Sequence, residues 1–311
     1  MTSAPSGAAI EVAGLVKRYG AFVAVDDLSF DVGRGEIFGL LGPNGAGKTS
    51  TIRMLLGLLA PSAGRMAVLG SDDVRTVLPQ IGYLPEERGL YRDVRVGDCL
   101  AYLAGLKGVS SADARRRITA GLEALELPGM ERRVIKTLSR GQQQKVQFLA
   151  TVVHRPALLV IDEPFSGLDP VNTRVLSEFL RGLRADGTTI VMCSHQMNRV
   201  EELCDRLLML HGGRRVLYGG VTEIRRTYAG DRVRVDVAGG PALARLANLP
   251  GVAGAEADGD AALLRLAPGA SLASLLRELA GHTDFDLQRI EVYLPSLEEI
   301  FLEVADGPRA A

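Results

Sequence analysis

The chain has 311 residues, of which 47% are hydrophobic and 23% charged, the proportions of a globular protein about two domains long. Its net charge of −1 excludes an overall basic field for nucleic acid or anionic lipid, no run approaches the ~20 apolar residues of a membrane span, and the first residues lack the basic start and apolar core of a signal peptide. Three widely spaced cysteines, Cys99, Cys193 and Cys204, follow neither a metal nor a disulfide pattern and read as reduced thiols.

A first strand is expected from residue 10 and runs toward Tyr19, an aromatic ahead of a turn, where its ring offers a stacking surface. Residues 24–32 read as a second strand. Residues 37–41 are a short apolar run of the kind a buried strand has, and Ile52, Leu55, Leu56 and Leu59 recur at i, i+3, i+4 and i+7, one face of a helix. Between them lies Gly42-Pro43-Asn44-Gly45-Ala46-Gly47-Lys48-Thr49, which fits G-x-x-x-x-G-K-[ST] and has both flanks that this phosphate loop needs. Its glycines let the backbone curl so that successive N–H groups face one oxyanion, and the helix N-terminus adds partial positive charge. Lys48 would reach the β- and γ-phosphates, Thr49 would place its hydroxyl on Mg²⁺, and Ser50 is counted with them.

Short strands are expected at residues 66–69 and 81–84, the latter followed by Pro85-Glu86-Glu87-Arg88. From about 90 to 155 the pattern turns helical; Arg115, Arg116 and Arg117 read as a solvated face. Leu138-Ser139-Arg140-Gly141-Gln142 leads into a helix, so Ser139 and Gly141 stand where free N–H groups and a hydroxyl face outward. Residues 158–161 form a wholly apolar strand that runs directly into Asp162 and Glu163. Ligands of open α/β sheets bind at that strand end; there Asp162 can hold Mg²⁺ and Glu163 can polarise an attacking water. Asp169 is an expected N-cap with Pro170 at the first helical position. Residues 188–193 are a further buried strand with His195 at its end, and residues 206–210 and 215–217 read as a hairpin around His211-Gly212-Gly213.

With these stations in this order, residues 10–220 resemble the ATP-binding subunit of an ABC transporter: phosphate loop 42–49, signature 138–142, strand and carboxylates 158–163, the loop 166–169 and the switch His195. The resemblance implies that Tyr19 stacks on adenine, that Glu163 is the general base, and that His195 holds the γ-phosphate and the attacking water. Two such domains would pair head to tail, with Ser139, Gly141 and Gln142 of one and the Asp169 loop completing the ATP site of the other. Glu86 stands where the family usually has glutamine: it keeps an oxygen for the metal but loses the donor. Arg140 stands where many members have glycine, with its side chain directed either outward or toward the dimer interface.

Residues 225–311 are expected to form a separate unit: strands at 232–237, 252–256, 261–266 and 285–293, helices at 241–248 and around Leu272 to Leu279, a turn at Asp258-Gly259, and a last helix capped by Ser296 with Glu299 at N3. The order β-α-β-β-α-β is that of a ferredoxin-like split unit, and the ending resembles the accessory domain of multidrug and sodium-efflux exporter subunits. The expectation is therefore an α/β fold: a phosphate-loop (RecA-like) ATPase domain over 9–222, its helical subdomain about 88–155, and a small C-terminal α+β domain over 225–311. Its activity would be hydrolysis of ATP with Mg²⁺, powering a separately encoded transmembrane permease from the cytoplasmic face of the membrane. The alternative is a soluble ATPase of the same type acting on ribosomes or nucleic acid; a single phosphate loop, the absence of heptads and near-neutral charge speak against it.

Overall fold

The computed structural model describes residues 7–86, 89–240, 242–281 and 286–305. The chain divides into two compact units, residues 1–221 and 222–311.

The first unit is built on a six-stranded sheet of order β5-β6-β7-β3-β8-β9. β3 (Ile37–Leu41), β6 (Leu158–Asp162) and β7 (Thr189–Ser194) are buried at every residue, the condition of parallel strands covered on both faces. β5 (Ile81–Leu84) and β8 (Arg206–His211) continue the parallel run, and β9 (Arg214–Gly220) closes it antiparallel. A second, antiparallel sheet of order β2-β1-β4 is formed by β1 (Ala8–Tyr19), β2 (Phe22–Gly33) and β4 (Ala63–Val68). One apolar core joins the two sheets, with Ile10, Leu28, Phe38, Leu40 and Ile52 fully or almost fully enclosed and the Phe30 and Phe38 rings stacked 5.8 Å apart.

The helix after the phosphate loop is shorter than its periodicity predicts. α1 (Lys48–Leu55) stops before Leu59, although Leu59 still packs on the core. Gly57 ends it at φ +68°, where an added Cβ would stand 2.5 Å from Val74 Cγ1; backbone in the left-handed region, not apolar spacing, sets the boundary. α2 (Val96–Leu106), α3 (Ser111–Ala124) and α4 (Arg140–Val152) make up the helical region. Of its basic run, Arg115 and Arg116 are exposed as expected, but Arg117 is half-buried and donates to the Val153 carbonyl at 3.2 Å. α5 (Pro170–Ala185) carries the expected Asp169 cap and Pro170, and α6 (Met197–Leu203) follows β7.

In the second unit, α7 (Val221–Ala229) leads into a sheet of order β11-β12-β10-β13, made by β10 (Arg232–Val237), β11 (Val252–Asp258), β12 (Ala261–Leu266) and β13 (Leu287–Val292). All three pairings are antiparallel. With α8 (Leu243–Leu246) and α9 (Leu272–Gly281) between the strands, this is the ferredoxin-like split order. The hairpin turn falls one residue later than the sequence implies: Asp258 pairs with Ala261, leaving Gly259-Asp260 as a two-residue loop with Gly259 at φ +61°. α10 (Leu297–Ala305) begins with the expected cap, Ser296 Oγ accepting the Glu299 N–H at 3.2 Å while the Glu299 carboxylate accepts the Ser296 N–H at 2.7 Å. Of the expected elements here, Pro241 and Phe285 lie outside the described residues.

Candidate active site

Register decides which side chains meet. β3 and β7 pair with Leu41 opposite Ser194, and β6 and β7 pair with Asp162 opposite Cys193. The phosphate loop, the two carboxylates and His195 therefore leave the same edge of the sheet from three neighbouring strands, the edge where an open α/β sheet binds its ligand.

The loop is held by close backbone contacts. Gly42 sits at φ +143° and Gly47 at φ +101°, and a Cβ on either would come within 2.3 Å of Leu210 O and 2.4 Å of Ala24 O respectively. Glycine is required at both positions by backbone packing as well as by dihedral. Gly45 is also in the left-handed region, at φ +81°, while Pro43, Asn44 and Thr49 are exposed, Ala46 is buried and Ser50 is half-buried. Lys48 is only 8% exposed; its Nζ donates to Gly42 O at 2.7 Å and Pro43 O at 3.1 Å. Because Ala24 of β2 touches Gly47, the hairpin end that carries Tyr19 lies on the loop side of the unit. Tyr19 is 48% exposed and has Lys17 Nζ 5.2 Å from its ring centre.

Glu163 is the most constrained of the carboxylates. Its backbone is at φ +48°, rare for a residue with a Cβ, and is fixed by its N–H donating to Cys193 O at 3.0 Å and its carbonyl accepting from Ser166 N–H at 3.2 Å. Its Oε1 accepts two hydrogen bonds from one residue, the His195 N–H at 2.9 Å and the His195 Nδ1–H at 2.8 Å. The Glu163 side chain is 9% exposed against 55% for His195, so the imidazole covers the carboxylate from the solvent side. Asp162 beside it is pushed up to about 6, first by burial and then by the charges of Glu163 and Glu86, with Lys48 and Arg53 acting against the rise.

A second group assembles at the start of α4. Ser139 and Gln142 form a reciprocal capping box, Gln142 N–H donating to Ser139 Oγ at 3.2 Å and Ser139 N–H to Gln142 Oε1 at 3.0 Å. Gly141 lies against Asn172, whose Nδ2 would be 3.0 Å from an added Cβ, and Asn172 in turn donates to the Asp169 carboxylate at 2.8 and 2.6 Å. Gln144 Nε2 donates to Pro164 O at 2.7 Å. The first turn of α4 is thereby packed on the loop that follows Glu163. No hydrogen bond or ion pair links Ser139, Gly141 or Gln142 to residues 42–49 among the described residues. Arg140 is exposed; its guanidinium lies against Gly167, and it lines a cavity of about 70 Å³ with Glu86, Asp162 and Glu163. Asn172 and Gln144 had no signal in the sequence, since each acts through a contact between segments far apart in the chain.

Among the described residues, no group of three or more His, Cys, Asp and Glu converges as a self-sufficient metal site. Asp162 and Glu86 stand close enough for the charge of Glu86 to raise Asp162, and such a pair of carboxylates is of the type taken by an ion such as Mg²⁺, which binds one or two carboxylates and draws further oxygens from a phosphate ligand.

The family described as ABC transporter matches residues 25–166, and the C-terminal domain of DrrA1-3-like ATP-binding proteins matches residues 219–305. The ABC transporter ATP-binding protein YhaQ of Bacillus subtilis is 39% identical over 289 residues, which cover 93% of this chain and 96% of that protein. The chain belongs to the ATP-binding proteins of ABC transporters. Nod factor export ATP-binding protein I of Rhizobium sp. strain N33 is 34% identical over 302 residues, covering 96% of this chain and 97% of its own length. A solved ATP-binding subunit of an ABC transporter superposes with a TM-score of 0.65 at 34% identity, over 70% of this chain and 92% of that one. As an ABC ATP-binding subunit, the protein has a domain that binds ATP, generally with Mg²⁺, and that implies ATPase activity. Such subunits generally work with transmembrane permeases, and no helix among the described residues is long and apolar enough to cross a membrane.

Proposed function

We propose that this subunit hydrolyses ATP to power export through a separately encoded permease, at the cytoplasmic face of the membrane. The observation that carries the reading is the clamp between Glu163 and His195 at the sheet edge that also bears the phosphate loop. Bound ATP supplies the reactive phosphoanhydride and magnesium screens its oxygens. The loop N–H groups and Lys48 bind the β- and γ-phosphates, Thr49, Asp162 and Glu86 offer oxygens to the metal, and Tyr19 gives adenine a ring to stack on. The Glu163 carboxylate accepts the proton of the attacking water, and His195, fixed through Nδ1, orients that water. Ser139, Gly141 and Gln142, with the Asp169 loop, serve the ATP of a second ATP-binding subunit, so that ATP binding closes the pair and hydrolysis reopens it.

The helical subdomain, about residues 88–155 of an ATPase domain over 9–222, receives the permease. A groove of about 410 Å³ lined by Leu58, Leu78, Leu90, Leu103 and Leu106 supports this, as do Leu58, Tyr91, Tyr102 and Leu106 around it, each more than half exposed. Export is favoured by the relatives named for it and by the accessory unit, residues 225–311, to which we assign dimerisation or regulation and no chemistry. The test is a pull-down of the tagged protein from detergent-solubilised native membranes. Recovery of a polytopic permease is the expected result; only soluble or ribosomal partners would overturn the transport reading.

A further inference from the structure

Three carboxylates, Glu86, Asp162 and Glu163, and one guanidinium, Arg140, line the same small cavity. Glu86 and Arg140 are both charged, and they reach the cavity from elements far apart in sequence: the turn after β5, which lies beside β6 in parallel register with Leu84 opposite Ile161, and the first turn of α4. Arg140 makes no hydrogen bond or ion pair with another described residue. Arg140 is exposed, and its Nη2, Cζ and Nε stand 2.8, 3.1 and 3.4 Å from where a Gly167 Cβ would be, so the guanidinium lies against a residue with no side chain. Gly167 itself sits at φ +73°, a conformation that keeps larger residues out. Three acidic groups at one strand edge repel one another; Lys48 and Arg53 act against this at Asp162, and a delocalised cation that cannot lose its proton adds to them from across the cavity, without a direct ion pair.

We propose that Arg140 is a positioning residue that balances, within its own subunit, the negative charge of the Glu86–Asp162–Glu163 cavity, and that Glu86 and Arg140 act as a compensating pair. The cation keeps the carboxylates at their places before nucleotide arrives, and it sets how much magnesium the site requires. This role is separable from ATP binding, since it is measured first without nucleotide or metal.

The experiment is a double-mutant cycle on the full chain: the natural protein, Glu86→Gln, Arg140→Gln and the double variant, unfolded by heat in EDTA. Arg140→Gln is expected to lower Tm by about 2–4 °C, the scale of one charge interaction in a domain of this size, and the loss is expected to fall by half or more when Glu86 is already Gln. Arg140→Lys should restore most of the Tm. In a second measurement, magnesium is titrated against binding of a fluorescent ATP analogue; the half-saturating magnesium concentration should drop about threefold or more in Arg140→Gln, because a cation has left the neighbourhood of the metal's carboxylates, and return toward the natural value in Arg140→Lys. An equal Tm loss in both backgrounds, or an unchanged magnesium midpoint, would overturn the proposal and leave Arg140 as a residue that merely packs on Gly167.

Discussion

Glu163 Oε1 lies 2.8 Å from His195 Nδ1 and 2.9 Å from the His195 backbone nitrogen. The two residues are 32 positions apart in sequence and leave adjacent parallel strands. One carboxylate oxygen is thus committed to holding the imidazole, while the other, among the described residues, accepts a hydrogen bond only from Ser194 Oγ, at 3.4 Å. In the proposed mechanism the two oxygens do different work, one orienting His195 and the other accepting the proton.

Glu163→Gln should keep ATP binding and slow phosphate release by about 10²-fold or more, the usual loss for a general base. Size-exclusion chromatography should find the variant as an ATP-bound dimer; a protein that stays monomeric with ATP would count against the head-to-tail pair.

His195→Ala should also lower turnover by about 10²-fold or more, with ATP affinity changed far less, since in the proposed mechanism the residue acts on the attacking water. Turnover measured at saturating ATP separates the two quantities; an effect confined to KM would assign His195 to binding alone.

Lys48→Ala should abolish ATP binding or turnover. It also removes the Nζ donor to Gly42 and Pro43 from a buried position, so a stability loss of about 1–3 kcal/mol is expected in the absence of nucleotide, read from denaturant unfolding. Normal hydrolysis in this variant would contradict the site.

His154 gives a pH signature. Burial, aided by the charge of Lys107, pushes its imidazolium down to about 4 from an ordinary 6.5. Between these values the unfolded chain binds a proton that the folded chain refuses, so stability contributed by His154 is present above 6.5 and is lost as pH falls toward 4. Asp162, raised to about 6, works in the opposite direction, its contribution being lost as pH rises from 3.8 through 6. His154→Gln should therefore be less sensitive than the natural protein to acidification between pH 6.5 and 4.5, as read by Tm against pH; parallel curves would refute the assignment.

Deleting residues 225–311 should leave nucleotide binding unchanged, because every residue assigned to the ATP site lies in the unit that ends at residue 221. A folded truncation that no longer binds ATP would give the C-terminal unit a part in the site.

The sequence by itself determined what depends on local chemistry. Glycines 42, 45 and 47 ahead of Lys48, an apolar run ending in Asp162-Glu163, and Ser296 three residues before Glu299 each specify an element and its cap through neighbours a few residues away. The split order of the C-terminal strands was legible for the same reason. Only the tertiary structure decided which of these ends meet. The pairing of Leu41 with Ser194 and of Asp162 with Cys193 sets Glu163 against His195; Asn172 joins Gly141 to Asp169; and Gly167 makes room for Arg140, which lines one cavity with the carboxylates. Helix ends and one turn were also decided there, at Gly57 and at Gly259-Asp260, because a positive φ and strand register override apolar spacing. Periodicity records which face of an element is buried; it holds no information about the partner that buries it, since apolar contact is not directional, whereas hydrogen-bonded register and close backbone approach are.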